Sequence, residues 1–109
     1  MPAITDNVIF DTIAREWRCK WSPDNEKASL SAAQQALAGV LPAIKAIDGA
    51  KVQRVVCGGC LDFKVVVSLP AEKFGKLEEA KIEDGFLNAL RAIPGCTNVE
   101  AQSYTLMPM

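Results

Sequence analysis

Four cysteines carry most of the reactive chemistry in this chain: Cys19, Cys57, Cys60 and Cys96, two of them in the spacing Cys57-Gly58-Gly59-Cys60. A CxxC pair supports three kinds of chemistry. It supplies two of the four ligands of a structural zinc site, which commonly takes two such pairs. It cycles between dithiol and disulfide where a helix N-terminus lowers one thiol pKa. Or its members are simply small residues flanking a glycine turn. Histidine is absent, which removes the usual imidazole base, most mixed zinc sites and the Ser–His and Cys–His nucleophile systems. The cysteines therefore stand without their usual activating partner. Binding or structure is favoured over catalysis, so no catalytic residue is nominated and no metal or cofactor is expected.

The periodicity of the apolar residues supplies the frame that must position these thiols. In "REWRCKWSP", Trp17, Cys19 and Trp21 alternate with Glu16, Arg18 and Lys20, the pattern of a half-buried strand. Ser22-Pro23-Asp24 carries helix-start chemistry. Leu30, Ala33, Leu37, Val40, Leu41, Ile44 and Ile47 then form one apolar stripe, predicting a helix to about Ile47, with a bend at Pro42 and a stop at Asp48-Gly49. "KVQRVVCGGCLDFKVVVSLP" reads as a hairpin with a two-residue turn at Gly58-Gly59 and with Phe63, Val65 and Val67 on its core side. Pro70 opens a second helical region to about Ile93, interrupted near Glu83-Asp84-Gly85 and burying Leu77, Phe86, Leu87, Leu90 and Ile93. Pro94-Gly95 ends it, and "VEAQSYTLM" forms the last strand. "VIFDTIA" is ambiguous between a short helix and an extension of the first strand. Residues 1–14 are read as an arm preceding a single domain over residues 15–109.

The resulting order, strand-helix-strand-strand-helix-strand, predicts an α+β fold of the ferredoxin-like β-α-β-β-α-β kind, with two helices on one face of a four-stranded antiparallel sheet. The other face is left bare, with Val55, Val66, Tyr104 and Leu106 pointing there and an apolar tail beyond. That arrangement predicts a homodimer, packed sheet to sheet or through exchanged edge strands. Cys19, late in the first strand, and Cys96, just before the last, are expected at the sheet end opposite the hairpin tip, about 20 Å from Cys57 and Cys60, too far to share a zinc ion. The CGGC turn has no helix after it, so the redox role of Cys57 and Cys60 lacks its usual activating feature and the turn reading leads. Asp62 alternates with Leu61 and Phe63 and so faces away from the helices. It is placed to cap the turn, pair with Lys64 or Arg54, or bind a ligand amine. Glu78-Glu79 and Glu83-Asp84, with Lys76 and Lys81 nearby, read as a solvated helix face.

The second half, "VQRVVCGGCLDFKVVVSL" followed by "FLNALRAIPGCTNVEAQSYTLM", resembles the effector-binding domain of the leucine-responsive and asparagine-responsive regulators. Gly59, Asp62 and Phe63 match that domain's glycine-to-aspartate-aromatic hairpin signature, with Val65 and Val67 behind it. Ile93-Pro94-Gly95 and Tyr104-Thr105-Leu106-Met107 match its helix end and closing strand. The resemblance implies a dimer of α/β sandwiches that binds small-molecule effectors near the hairpin at a subunit interface, which nominates Gly58, Gly59 and Asp62 as ligand-binding positions. The regulators' DNA-binding half is absent. A second resemblance, to dimeric α/β-barrel proteins such as small monooxygenases and stress-responsive domains, implies paired sheets around a cavity and leaves a cofactor-independent or thiol-dependent enzyme as the alternative.

Length and charge narrow the class further. The chain has 109 residues, 50% apolar and 23% charged, with 12 basic against 13 acidic side chains and a formal net charge of −1. That balance argues against nucleic-acid binding, which needs clustered Lys and Arg. No stretch approaches a membrane span or a secretory signal, so reduced thiols and a cytoplasmic location are expected. The function these features predict is a small dimeric module that binds a small molecule or a protein partner.

Overall fold

Period-two burial along two nine-residue segments builds the centre of the molecule, a computed structural model describing residues 2–109. Two short strands, β1 (Ala3–Thr5) and β2 (Val8–Ile9), pair as a hairpin apart from the main sheet. They are followed by β3 (Thr12–Lys20), α1 (Asp24–Lys45), β4 (Lys51–Val56), β5 (Asp62–Pro70), a 3-10 turn (Ala71–Lys73), α2 (Gly75–Glu79), α3 (Glu83–Arg91) and β6 (Thr97–Leu106). The four long strands form one antiparallel sheet in the order β4-β5-β3-β6. The two strands that are central in space are the first and third in sequence, which is the ferredoxin-like topology predicted from the element order. Among the described residues, no helix is long and apolar enough to cross a membrane.

The core lies between the sheet and the helices. Trp17 and Cys19 from β3, and Phe63, Val65, Val67 and Leu69 from β5, are buried against Ala33, Leu37 and Ile44 of α1 and Phe86 and Leu90 of α3. Trp21, just past β3, completes the alternation and donates its indole N–H to the Asp62 carbonyl at 3.2 Å. The predicted stripe of α1 holds, with Leu30, Val40, Leu41 and Ile47 packed at the margin of the core.

Four local expectations are corrected. Non-helical backbone inside α1 falls at Asn25, Glu26 and Lys27, with φ of 54°, 58° and 63°, and not at Pro42. Pro42 sits in the last turn, where little helix remains to bend. The break in the second helical region lies at Ala80–Ile82, where Lys81 takes φ 54°. Glu83 and Asp84 instead open α3, where carboxylates suit the positive end of the helix dipole.

The β4–β5 hairpin is not a two-residue turn. Its last closing bond runs from the Cys57 N–H to the Asp62 carbonyl at 3.0 Å, leaving four residues between. The left-handed residue is Leu61 (φ 59°), and neither Gly58 nor Gly59 has positive φ. Leu61 tolerates this because its carbonyl accepts the Trp21 N–H at 2.9 Å and its side chain packs on the core.

The fourth correction is to the cysteines. Antiparallel pairing sets Cys19 opposite Phe63 and Thr97 opposite Lys20. Cys19 and Cys96 therefore lie at the same sheet end as the hairpin tip, not the opposite one. Cys19 faces the core, whereas Cys60 approaches Asp62, whose neighbours in register face away from the helices. Among the described residues, no group of three or more His, Cys, Asp or Glu is disposed to hold a metal ion.

Candidate functional site

Strand β3 presents chemistry on both of its faces. On the helix side, alternation carries Arg15 inward beside Trp17, so a guanidinium enters the margin of an apolar core. It finds Glu83 at the first turn of α3. Arg15 Nε–H donates to Glu83 Oε1 at 2.6 Å, Arg15 Nη2 to Oε2 at 3.2 Å, and the Trp17 indole N–H also donates to Oε1 at 2.7 Å. Arg15 Nη1 reaches Ser103 Oγ of β6 at 3.0 Å. The bidentate arrangement fixes the approach of α3 to the sheet as well as neutralising charge. It borders a cleft of about 480 Å³ between the sheet and the α2–α3 segment. Phe74, Leu77 and Ile82 give the cleft an apolar side, Arg15, Glu83 and Ser103 a polar one, and exposed Glu78, Lys81 and Asp84 complete the lining.

The Arg15 hydrogen bond, aided by that of Trp17 and opposed by desolvation, holds the Glu83 carboxyl below its ordinary value of 4.5. A lowered carboxylate stabilises the folded state fully above the unfolded value and loses that contribution as pH falls through the folded one. Melting temperature is thus expected to hold level at neutral pH and to fall on acidification below about pH 4.5. Asp48 and Asp62, also lowered by lysine hydrogen bonds, join further down, from their ordinary 3.8. Thermal melts of Glu83→Gln should lose the first part of that decline and keep the second.

On the open side the apolar face expected from the sequence is charged at its centre. Asp62 is buried among three cations, with Lys20 Nζ at 2.6 Å, Arg18 Nη2 at 3.0 Å and Lys64 Nζ at 4.0 Å from its oxygens. Arg18 also lies 3.9 Å from Glu16, itself buried and accepting hydrogen bonds from Gln102 Nε2 at 2.8 Å and the Tyr104 hydroxyl at 3.3 Å. Burial and the neighbouring Glu16 carboxylate raise the Tyr104 phenol above its ordinary 10.0. The predicted apolar members of this face lie around the network: Val55 on edge strand β4 and Leu106 on edge strand β6 are exposed, while Val66 and Tyr104 are half-buried.

Of the residues nominated from the sequence, the structure brings Cys57, Cys60 and Asp62 together. The two sulfurs are bonded, with Cα atoms 5.6 Å apart, and Cys60 Sγ lies 3.3 Å from Asp62 Oδ2. Gly58 and Gly59 form the exposed tip, with open space where a Cβ would point. Asp62 pairs with Lys20 and Arg18 rather than Arg54, which bonds Gln34 of α1. Glu83, read as part of a solvated helix face, is instead half-buried in an ion pair. Arg15 was the available signal, since a charged residue on the inward side of an alternating strand needs a carboxylate from the layer above it.

No protein-family model matches the chain, and no curated protein matches it. Solved structures do. Rv0793 from Mycobacterium tuberculosis superposes with a TM-score of 0.58 at 16% identity, covering 90% of this chain and 95% of that one. A mutant form of SnoaB, a cofactor-independent oxygenase from Streptomyces nogalater, gives 0.62 at 12% identity over 91% and 96%. An antibiotic biosynthesis monooxygenase-type protein from Caulobacter crescentus CB15 gives 0.65 at 10% identity over 91% and 92%. The second and third of these are described as an oxygenase and a monooxygenase, and none of the three as one of the regulators whose hairpin the sequence resembles. At such identities the likeness shows the fold alone: this chain has a ferredoxin-like fold similar in architecture to antibiotic biosynthesis monooxygenase-type proteins.

Proposed function

We propose that the chain is a binding module for a small organic molecule, seated in the cleft between β3, β6 and the α2–α3 segment, and that it works as a homodimer. The observation that carries the ligand reading is the cleft itself, with the Arg15–Glu83 pair in its wall. A volume near 480 Å³ lies within the range of small-molecule sites, and an apolar wall with a few convergent polar groups is their usual lining. Placing an ion pair where a strand faces the core is also not what stability alone favours, because apolar residues there do as well or better. With Arg15 and Glu83 cancelling, Lys81 is outweighed by Glu78 and Asp84. The preferred ligand is therefore uncharged or carries an amine, with an apolar body against Phe74 and Leu77. The oxygenase activity named for SnoaB remains a statement about SnoaB, since a shared fold hosts many functions.

The N-terminal hairpin supports the dimer. Ile4, Val8 and Ile9 are 64%, 48% and 42% exposed, and a two-stranded hairpin alone is marginal in water. It contributes to an elongated molecule, 49 Å in its longest extent with a radius of gyration of 15.0 Å, against about 13 Å for a compact chain of this length. A second copy, gripped by this arm and by the open sheet face, gives those side chains cover.

Amphipathic fragments screened by amide chemical shifts should perturb Arg15, Ser103 and residues 74–84, and Phe74→Glu, compared at a temperature where its amide spectrum is still that of the folded chain, should weaken the hits about tenfold. Hits that map elsewhere, or that survive the substitution, overturn the ligand site. Sedimentation should give twice the chain mass, weakened by deleting residues 2–9; a monomer at every concentration overturns the dimer.

A further inference from the structure

We propose that Cys57 and Cys60 are a reversible thiol–disulfide exchange couple acting on low-molecular-weight disulfides, with Cys57 as the attacking sulfur and Cys60 as the resolving one. Three observations carry this. First, the pair is accessible: Cys60 is exposed and Cys57 half-exposed on a hairpin tip with open space around its glycines. Second, the cross-link has little structural work to do. It spans a separation of three residues, the kind of loop whose closure constrains the unfolded chain least, and strand pairing up to Val56–Phe63 and the Cys57 N–H bond to Asp62 already close the hairpin. Third, the two sulfurs have different hydrogen-bond partners. The Cys60 backbone N–H points at Cys57 Sγ at 3.2 Å, a donor that favours the Cys57 thiolate. Cys60 Sγ faces the Asp62 carboxylate at 3.3 Å, an acceptor for its S–H when the pair is reduced. This direct hydrogen bond holds the proton on Cys60 although Arg18, Lys20 and Lys64 offset much of the carboxylate's charge. Lys20, bonded to both Asp62 and the Cys60 carbonyl, holds this arrangement against the sheet.

The order of events follows. The Cys57 thiolate attacks one sulfur of the external disulfide, forming a Cys57 mixed disulfide and releasing one thiolate. Cys60 then attacks Cys57 Sγ, the second external sulfur leaves, and the proton from Cys60 goes to it. Two protein thiols and one external disulfide become one protein disulfide and two external thiols, a two-electron exchange that runs backward in excess thiol. Cys19 and Cys96 take no part. Burial pushes the Cys19 thiol up to about 12 and raises Cys96 as well, which disfavours the reactive thiolate at both.

The test equilibrates the full chain in mixtures of glutathione and glutathione disulfide, traps free thiols by alkylation and maps them by mass spectrometry. Cys57 and Cys60 should interconvert with the ratio while Cys19 and Cys96 stay reduced. Cys60→Ser should accumulate a glutathione adduct on Cys57, and in the reduced wild type Cys57 should alkylate about tenfold faster than Cys60, a preference that Asp62→Asn narrows. A pair still reduced in excess glutathione disulfide, a pair still oxidised in excess glutathione, or an adduct formed equally well on Cys60 in Cys57→Ser overturns the proposal. The wild-type alkylation rates decide the order of the two sulfurs even if a serine variant does not fold.

Discussion

Trp17→Ala should lower the stability of this domain by about 4 kcal/mol, the cost typical of removing a large buried aromatic. For a domain of this length that is a fall of roughly 15 °C or more in melting temperature, and a large share of the roughly 5–15 kcal/mol that such a domain has in total. The size follows from two roles met in one side chain. The ring is fully buried at the centre of the sheet, 5.4 Å from the ring of Phe86 on α3, so alanine leaves a cavity that strands on either side cannot close. The indole N–H is also one of the donors on Glu83. Trp17→Phe separates these roles, keeping most of the packing and losing only the hydrogen bond, and should cost about 1–2 kcal/mol. Denaturant titration of both variants checks the ordering.

The second large effect is expected at Glu83. Glu83→Ala strands the Arg15 guanidinium beside the core and leaves the Trp17 N–H without its acceptor. A fully buried pair broken in this way costs about 3–5 kcal/mol. Here the two side chains are 28% and 34% exposed, so solvent screening reduces the expectation to about 2 kcal/mol. Glu83→Gln retains an oxygen for Arg15 or Trp17 and should cost about half as much. Because Trp17 and Glu83 share a hydrogen bond, their effects should not add. The double substitution to alanine should fall short of the sum by about 1 kcal/mol. Additive losses would mean that the indole and the carboxylate do not act together in solution.

Which parts of this architecture are readable from the chain depends on the range of the interactions involved. Alternation through Trp17, Cys19 and Trp21, and the three- and four-residue steps from Leu30 to Ile47, are local patterns imposed by burying one face of an element. They led directly to the fold class. The Arg15–Glu83 pair joins residues 68 positions apart, and no local pattern encodes it. The misplacement of Cys19 and Cys96 was of a different kind. It followed from strand direction, since antiparallel pairing brings the end of β3 to the start of β5. The hairpin misled because two adjacent glycines advertise a tight turn, whereas the left-handed position went to Leu61, held there by tertiary contacts with Trp21 and the core. Lys81 takes a left-handed position after α2 without a glycine, its N–H closing on the Glu78 carbonyl at 3.1 Å.

The division of the cysteines between the two sides of the sheet bears on how the chain behaves while it is being oxidised. Four cysteines admit three complete pairings. Once the sheet is formed, Cys19 lies fully enclosed, whereas Cys57, Cys60 and Cys96 keep some exposure, the first two side by side at the hairpin tip. Both alternative pairings join Cys19 to a tip cysteine, so they are confined to molecules in which Cys19 is not yet enclosed. The cross-link at the hairpin tip can therefore form after folding, between two neighbours already in place, without an isomerase to correct it.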